Sequence, residues 1–115
     1  VDAQVDLYAP DGVWDMSLMG MGMFEGQTAI RGFFEDWFAP YENYEAEAEE
    51  ILDLGNGVGL RILTMRGRPV GTSGEVELRY AAVGVWEDGK IVRMTSYTDI
   101  DEARAAAERL AEERA

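Results

Sequence analysis

Cysteine and histidine are both absent from this chain of 115 residues. Without cysteine there can be no disulfide and no thiolate nucleophile, and without either residue the usual zinc sites cannot form. The absence of imidazole also excludes a histidine base and a serine–histidine–aspartate triad. Acid–base chemistry would have to use carboxylates, tyrosines or Lys90, the single lysine. We therefore expect no bound metal ion and no cofactor.

Basic side chains and long apolar runs are also scarce. The chain has 23 acidic and 10 basic residues, and its net charge of −13 repels the phosphates of nucleic acids and anionic membrane surfaces. No apolar run approaches the roughly 20 residues that span a bilayer. We expect neither nucleic acid nor membrane as a partner, and the cytoplasm is the default location.

Local patterns predict a helix, a short strand and a second helix in the first third of a single domain, 1–115. Residues 1–9 have the apolar spacing of the end of a helix, which a turn at Pro10-Asp11-Gly12 stops. Residues 13–16 form the short strand. Apolar positions 30, 33, 34, 37 and 38 then repeat with a helical period, from an N-cap at Thr28 to a stop at Pro40.

Alternating and β-branched patterns predict four further strands over residues 44–54, 58–65, 75–87 and 90–98. Glycine-containing turns at 55–57 and 88–89 join them in hairpins. Asp99, with Glu102 three residues later, predicts a capping box for a final helix. Elements in this order form an α+β fold, in which a curved antiparallel sheet wraps around helices and encloses an apolar pocket.

The stretch 13–38 carries the clearest functional signal, because it combines one carboxylate with a loop rich in methionine and glycine and an aromatic helix. Asp15 lies between Trp14 and Met16. Burial in an apolar setting raises the pKa of a carboxyl group, which suits a general base that works near neutral pH. The alternative is an aspartate at a strand end that accepts hydrogen bonds from the loop backbone. The residues alone leave both interpretations open.

Three motifs resemble the SnoaL-like branch of the NTF2-like superfamily, which includes ketosteroid isomerases and polyketide cyclases. They are LYAxD at 7–11, FEGxTAIRxFF at 24–34 and WEDGKIV at 86–92. The resemblance implies a cone formed by a curved antiparallel sheet and covering helices. It also implies a small apolar molecule held inside, a homodimer formed through the sheet face, and a family first helix that would precede Val1.

The same resemblance places Asp15 where ketosteroid isomerase-like enzymes keep the aspartate that moves a proton. Ala82 lies where those enzymes have a protonated aspartate, and Phe34 lies where they have a supporting tyrosine. A base without oxyanion stabilisers lacks what is usually the larger catalytic contribution. Steroid isomerisation by the full mechanism is therefore not expected.

Strand parity predicts which side chains face the pocket. If Ala82 faces inward, Tyr80 does so as well and can donate to a ligand carbonyl; the alternative is a core tyrosine with a satisfied hydroxyl. On the last strand the outward side chain is Tyr97, which with Arg79 and Arg93 would lie at the dimer interface. The predicted pocket residues are Trp14, Met19, Met23, Phe34, Trp37, Phe38, Ala82, Met94, Ser96 and Thr98.

Two functions are compatible with this pocket. The first is an isomerase, cyclase or lyase in which Asp15 removes a proton next to a carbonyl that Tyr80 polarises. The second is a non-catalytic module for small-molecule binding or dimerisation, which is favoured by the apolar residues at Phe34 and Ala82. The sequence does not identify the ligand.

Overall fold

A six-stranded sheet forms the centre of the fold in the computed structural model, which describes residues 5–115 with the exception of the side chains of Phe38 and Asn43. The elements are β1 (Tyr8–Asp15), β2 (Met23–Glu25), α1 (Gln27–Phe38), β3 (Tyr41–Gly55), β4 (Val58–Pro69), β5 (Val76–Glu87), β6 (Lys90–Tyr97) and α2 (Ile100–Glu113). The strand order is β2-β1-β6-β5-β4-β3, and only the pair β1–β6 is parallel. The predicted α+β fold with a curved sheet is confirmed.

The first strand is longer than its sequence pattern predicts. The expected turn at Pro10-Asp11-Gly12 is wrong, because β1 passes through these residues. Tyr8 pairs with Ile91 and Val13 with Arg93, so residues 9–12 of β1 lie opposite a single residue of β6. This bulge accommodates Pro10, which has no N–H to donate to a sheet ladder. Of the predicted helix over 1–9, residues 1–4 lie outside the described residues and 5 and 6 are helical, but the prediction is wrong for residues 8 and 9, which belong to β1.

Helix α1 packs its aromatic stripe against one face of the sheet. Its first residue is Gln27 and its N-cap is Gly26, so the expected cap at Thr28 is wrong. The Trp14 ring on β1 lies 4.9 Å from the Phe33 ring in an edge arrangement and 4.4 Å from the Phe34 ring. Such aromatic pairs add to the free energy gained by burial. The helical repeat read from the sequence therefore identifies the face that covers the sheet.

Helix α2 covers the opposite face. Ala103 and Ala107 are fully buried there, in one cluster with Ile62, Ala81 and Val83. Small side chains at these positions let the helix backbone approach the strands closely. The helix begins as predicted after Asp99, whose carboxylate accepts a hydrogen bond of 3.0 Å from the backbone N–H of Glu102.

Candidate functional site

A cavity of about 300 Å³ lies between α1 and the sheet. Every strand of the sheet except β2 contributes to its wall, because alternate residues of these strands face the same side. The lining residues are Leu7, Tyr8, Trp14, Met16, Phe34, Trp37, Tyr44, Ala46, Ala48, Arg61, Leu63, Tyr80, Ala82, Ile91, Met94 and Ser96.

Most of the residues predicted to face a pocket lie in this wall. They are Trp14, Phe34, Trp37, Tyr80, Ala82, Met94 and Ser96. The parity assumed for β5 and β6 is the observed one, since Ala82 is paired with Ser96 across the two strands. Whether a ligand occupies this space stays a prediction.

Three predicted pocket residues do not line the cavity. Met19 packs against the apolar core, and Met23, on the short strand β2, exposes 54% of its surface. Thr98 is exposed and follows the last residue of β6. The loop therefore turns part of its methionine side chains away from the cavity. The side chain of Phe38 lies outside the described residues.

Asp15 also lies outside the cavity wall. It follows Trp14 in β1, so its side chain points to the other face of the strand. One carboxylate oxygen lies 2.6 Å from Nη2 of Arg93. The other accepts hydrogen bonds from the backbone N–H and the hydroxyl of Ser17, at 2.9 and 2.5 Å. This is the strand-end aspartate that the sequence left open as the alternative.

The expected rise in the pKa of Asp15 is wrong. Asp15 is only 7% exposed, and desolvation acts to raise its pKa. The hydrogen bonds from Ser17 and the charge of Arg93 outweigh desolvation, so the pKa of the carboxyl lies below its ordinary value of 3.8. Hydrogen bonds and a cation both favour the ionised form. The lowered pKa keeps Asp15 ionised at neutral pH.

The tyrosines Tyr8 and Tyr80 bring two hydroxyl donors to the cavity wall. Burial raises the pKa of Tyr80 to about 12 and raises the pKa of Tyr8 as well, although the charge of Arg61 acts in the opposite direction on both. Both hydroxyls therefore keep their protons at neutral pH. In the buried wall, Nε1 of Trp14 donates to Oγ of Ser96 at 3.2 Å.

Sequence reasoning missed nine lining residues, and Arg61 is the one with a charged side chain; the others are Leu7, Tyr8, Met16, Tyr44, Ala46, Ala48, Leu63 and Ile91. Arg61 lies on β4 directly opposite Ala82 of β5. Because Ala82 was expected to face the pocket, knowledge of the β4–β5 register would have placed Arg61 on the same side. The sequence pattern identified both strands, but the long loop between them left their register open.

A second cavity of about 430 Å³ adjoins the first and shares Arg61 with it. Its wall includes Trp86, whose ring covers Gly59 and Gly84 on two neighbouring strands. Arg61 thus lies where the two spaces meet.

Within residues 5–115, no group of three or more histidine, cysteine, aspartate or glutamate side chains is arranged to hold a metal ion. In the same part of the chain, no helix is both long enough and apolar enough to cross a bilayer.

Comparison with known proteins identifies a family and a fold. The sequence model of the SnoaL-like domain matches residues 1–94. Among curated proteins, none matches the sequence of this chain.

Several solved structures superpose on the chain over most of its length. A protein with a ketosteroid isomerase-like fold from Catenulispora acidiphila DSM 44928, in complex with trimethylamine, has a TM-score of 0.74 at 17% identity, covering 92% of this chain and 80% of that protein. An NTF2-like protein from Burkholderia thailandensis E264 has a TM-score of 0.72 at 23% identity, with 91% and 82% covered. A candidate SnoaL-like polyketide cyclase from Jannaschia sp. CCS1 has a TM-score of 0.70 at 15% identity, with 93% and 77% covered. At these identities the likeness shows the fold alone.

Proposed function

The chain belongs to the SnoaL-like domain family, and we propose that it binds a small, largely apolar molecule in the cavity between α1 and the sheet. The supporting observation is the cavity itself. Its wall is mainly aromatic and aliphatic, with a few polar groups, which is typical of small-molecule sites, and its volume is at the lower end of their range of about 300–1,000 Å³. One protein of the same fold was solved with a small organic molecule, trimethylamine.

The wall favours binding over proton abstraction. Among the described residues, no aspartate or glutamate lines the cavity. Asp15, the predicted base, is held on the other face by Ser17 and Arg93. Tyr8 and Tyr80 have raised pKa values and act as donors at neutral pH. The cavity thus offers hydrogen-bond donors and a cation but no base, which matches the non-catalytic interpretation of the sequence.

An isomerase, cyclase or lyase is the second candidate, and the position of Tyr80 favours it. A protonated tyrosine in an apolar wall can stabilise an enolate oxygen. This mechanism also needs Asp15 as the base, and Asp15 would have to leave Arg93 to reach the cavity. Replacing Asp15 with asparagine distinguishes a binding protein from an enzyme. Ligand binding should survive the substitution in either case, whereas turnover of a ketone substrate by an enzyme should be lost.

Filling the cavity mouth tests the binding function. Ala48 lines the cavity and is exposed, so Ala48→Trp can place an indole at its edge without overpacking the core. Ala105→Trp, on an exposed position of α2, is the matched control. We expect a fluorescent apolar probe, N-phenylnaphthylamine, to bind the wild type and A105W equally and A48W at least tenfold more weakly. Equal binding by all three proteins, or none by the wild type, would overturn the proposal.

The homodimer implied by the family resemblance also stays a proposal. The outward side chains that were expected at its interface have partners within the described residues. Arg79 pairs with Glu49, Arg93 pairs with Asp15, and Tyr97 packs on the cluster beneath α2. A dimer through the sheet face would have to use the area that α2 leaves uncovered. Sedimentation velocity over a range of protein concentrations tests it.

A further inference from the structure

Arg61 lies in the cavity wall without a carboxylate partner among residues 5–115. Its side chain is partly buried, and its Nε atom is buried with no hydrogen-bond acceptor. Within the described residues, no carboxylate oxygen lies within ion-pair distance of its guanidinium, although the adjoining strands are rich in glutamate. Burying part of a charged group without a partner costs free energy.

Neighbouring arginines show the contrast. Arg66, on the same strand, lies 2.8 Å from a carboxylate oxygen of Glu77. Arg79, on the next strand, lies 2.9 Å from a carboxylate oxygen of Glu49. Both of these arginines lie at the exposed surface, where a salt bridge contributes little free energy. Arg61, whose Nε atom is buried, therefore lacks the carboxylate partner that these two arginines have.

Two neutral donors face the same space. Tyr8 and Tyr80 both line the cavity, and the charge of Arg61 acts on the pKa of each. Among the described residues, neither hydroxyl makes a hydrogen bond to the protein. A guanidinium presents its N–H groups in a fixed planar fork that fits the two oxygens of a carboxylate. The cavity therefore offers one cation and two hydroxyl donors, which is more than a ligand with a single carbonyl oxygen needs as hydrogen-bond partners.

We infer that the molecule bound in this cavity carries a carboxylate, which Arg61 pairs with and Tyr8 and Tyr80 support, while its apolar body lies against the aromatic wall. This inference rests on the proposed binding function. The net charge of −13 repels an anion at long range, so the selectivity for an acid must arise from contacts inside the cavity. A neutral ligand of the same shape would leave the charge of Arg61 unpaired.

Naphthoic acid and naphthamide test this inference, because they share an apolar body and differ in charge. Isothermal titration calorimetry at neutral pH should show that the wild type binds the acid at least tenfold more tightly than the amide. Arg61→Met keeps most of the apolar stem and removes the guanidinium. It should lose the preference for the acid while its affinity for the amide changes less than twofold. Arg109→Met, at an exposed position of α2, is the control and should behave as the wild type.

Each result decides between the two proposals. If both compounds bind equally and R61M changes neither affinity, the carboxylate inference is wrong and the binding function stands. If neither compound binds the wild type, both proposals are wrong for ligands of this shape. If R61M does not fold, Tyr80→Phe replaces it: we expect a threefold or greater loss of affinity for the acid, and an unchanged affinity would contradict the inference.

Discussion

Arg93 and Asp15 form an ion pair across the parallel strands β6 and β1, with 2.6 Å between Nη2 and the carboxylate oxygen. Trp14, the preceding residue in β1, faces the cavity. The pair therefore lies behind the cavity wall, where it fixes the end of β1 and the start of the loop through Ser17. Because three hydrogen-bond donors surround its carboxylate, Asp15 is suited to a structural role.

Replacing Asp15 with asparagine should lower stability and leave binding unchanged. The substitution keeps the shape of the side chain but removes its charge, and it weakens the hydrogen bonds from Ser17 and Arg93. We expect the free energy of unfolding at pH 7 to fall by about 1–3 kcal/mol, as measured by urea denaturation. The affinity for N-phenylnaphthylamine should stay within twofold of the wild type. A stable variant that has lost ligand binding would contradict this interpretation.

The stability difference between the wild type and D15N should depend on pH. The pKa of Asp15 is lower in the folded chain than its ordinary value of 3.8. Its contribution is therefore complete above the unfolded pKa and is lost as the pH falls through the folded pKa. We expect a constant difference from pH 7 to about pH 5 and a shrinking one below about pH 4. The stability difference could also persist undiminished down to the lowest pH at which the wild type stays folded. That result would show that the effect does not arise from the ionisation of Asp15.

Replacing Ser96 with alanine should destabilise the fold through Trp14. Ser96 is 1% exposed, and its hydroxyl accepts the indole N–H at 3.2 Å. Alanine leaves that buried donor without its acceptor, which costs about 1–3 kcal/mol. In a Trp14→Phe background the donor is absent, so the same serine substitution should cost much less. Urea denaturation of the four proteins gives the coupling free energy, and equal costs in both backgrounds would contradict the prediction.

Gly84→Ala should be destabilising because of Trp86. A Cβ atom at Gly84 would overlap the Cζ3 and Cη2 atoms of the indole, and one at Gly59, on the paired strand, would lie 3.0 Å from Cζ3. Overpacking of this kind costs about 1–3 kcal/mol. Gly74→Ala, where no atom lies within 4 Å, is the matched control and should change stability by less than about 0.5 kcal/mol. In a Trp86→Phe background, which lacks the outer ring, the cost at Gly84 should fall.

Removing the cap of α2 should lower thermal stability. The Asp99 carboxylate accepts the N–H of Glu102 at 3.0 Å, and alanine at an N-cap costs about 1 kcal/mol. Asparagine also accepts this bond, so Asp99→Asn should lie close to the wild type. Melting curves of the three proteins test this, and an asparagine variant as unstable as the alanine variant would show that the cap acts through charge alone.

The sequence predicted a large part of the fold because several elements are encoded locally. The 3.6-residue repeat of α1 identified the helix and its aromatic stripe. Alternation and glycine turns identified β3 to β6 to within a few residues. The match of the SnoaL-like model to residues 1–94 confirms the resemblance that three short motifs indicated. Each of these signals depends only on neighbours along the chain.

The tertiary structure decided the rest, because those features depend on contacts between distant residues. Parity shows that Trp14 and Asp15 point to opposite faces of β1, but only the packing of Trp14 against α1 selects the face that lines the cavity. Likewise, the sequence contains Arg61 within an apolar strand, and only the pairing of Arg61 with Ala82 turns it toward the cavity. The sequence by itself determined the family, the helices and the hairpins. The arrangement of the strands decided that the cavity contains a cation and hydroxyl donors, and that the predicted carboxylate lies on the other side of its wall.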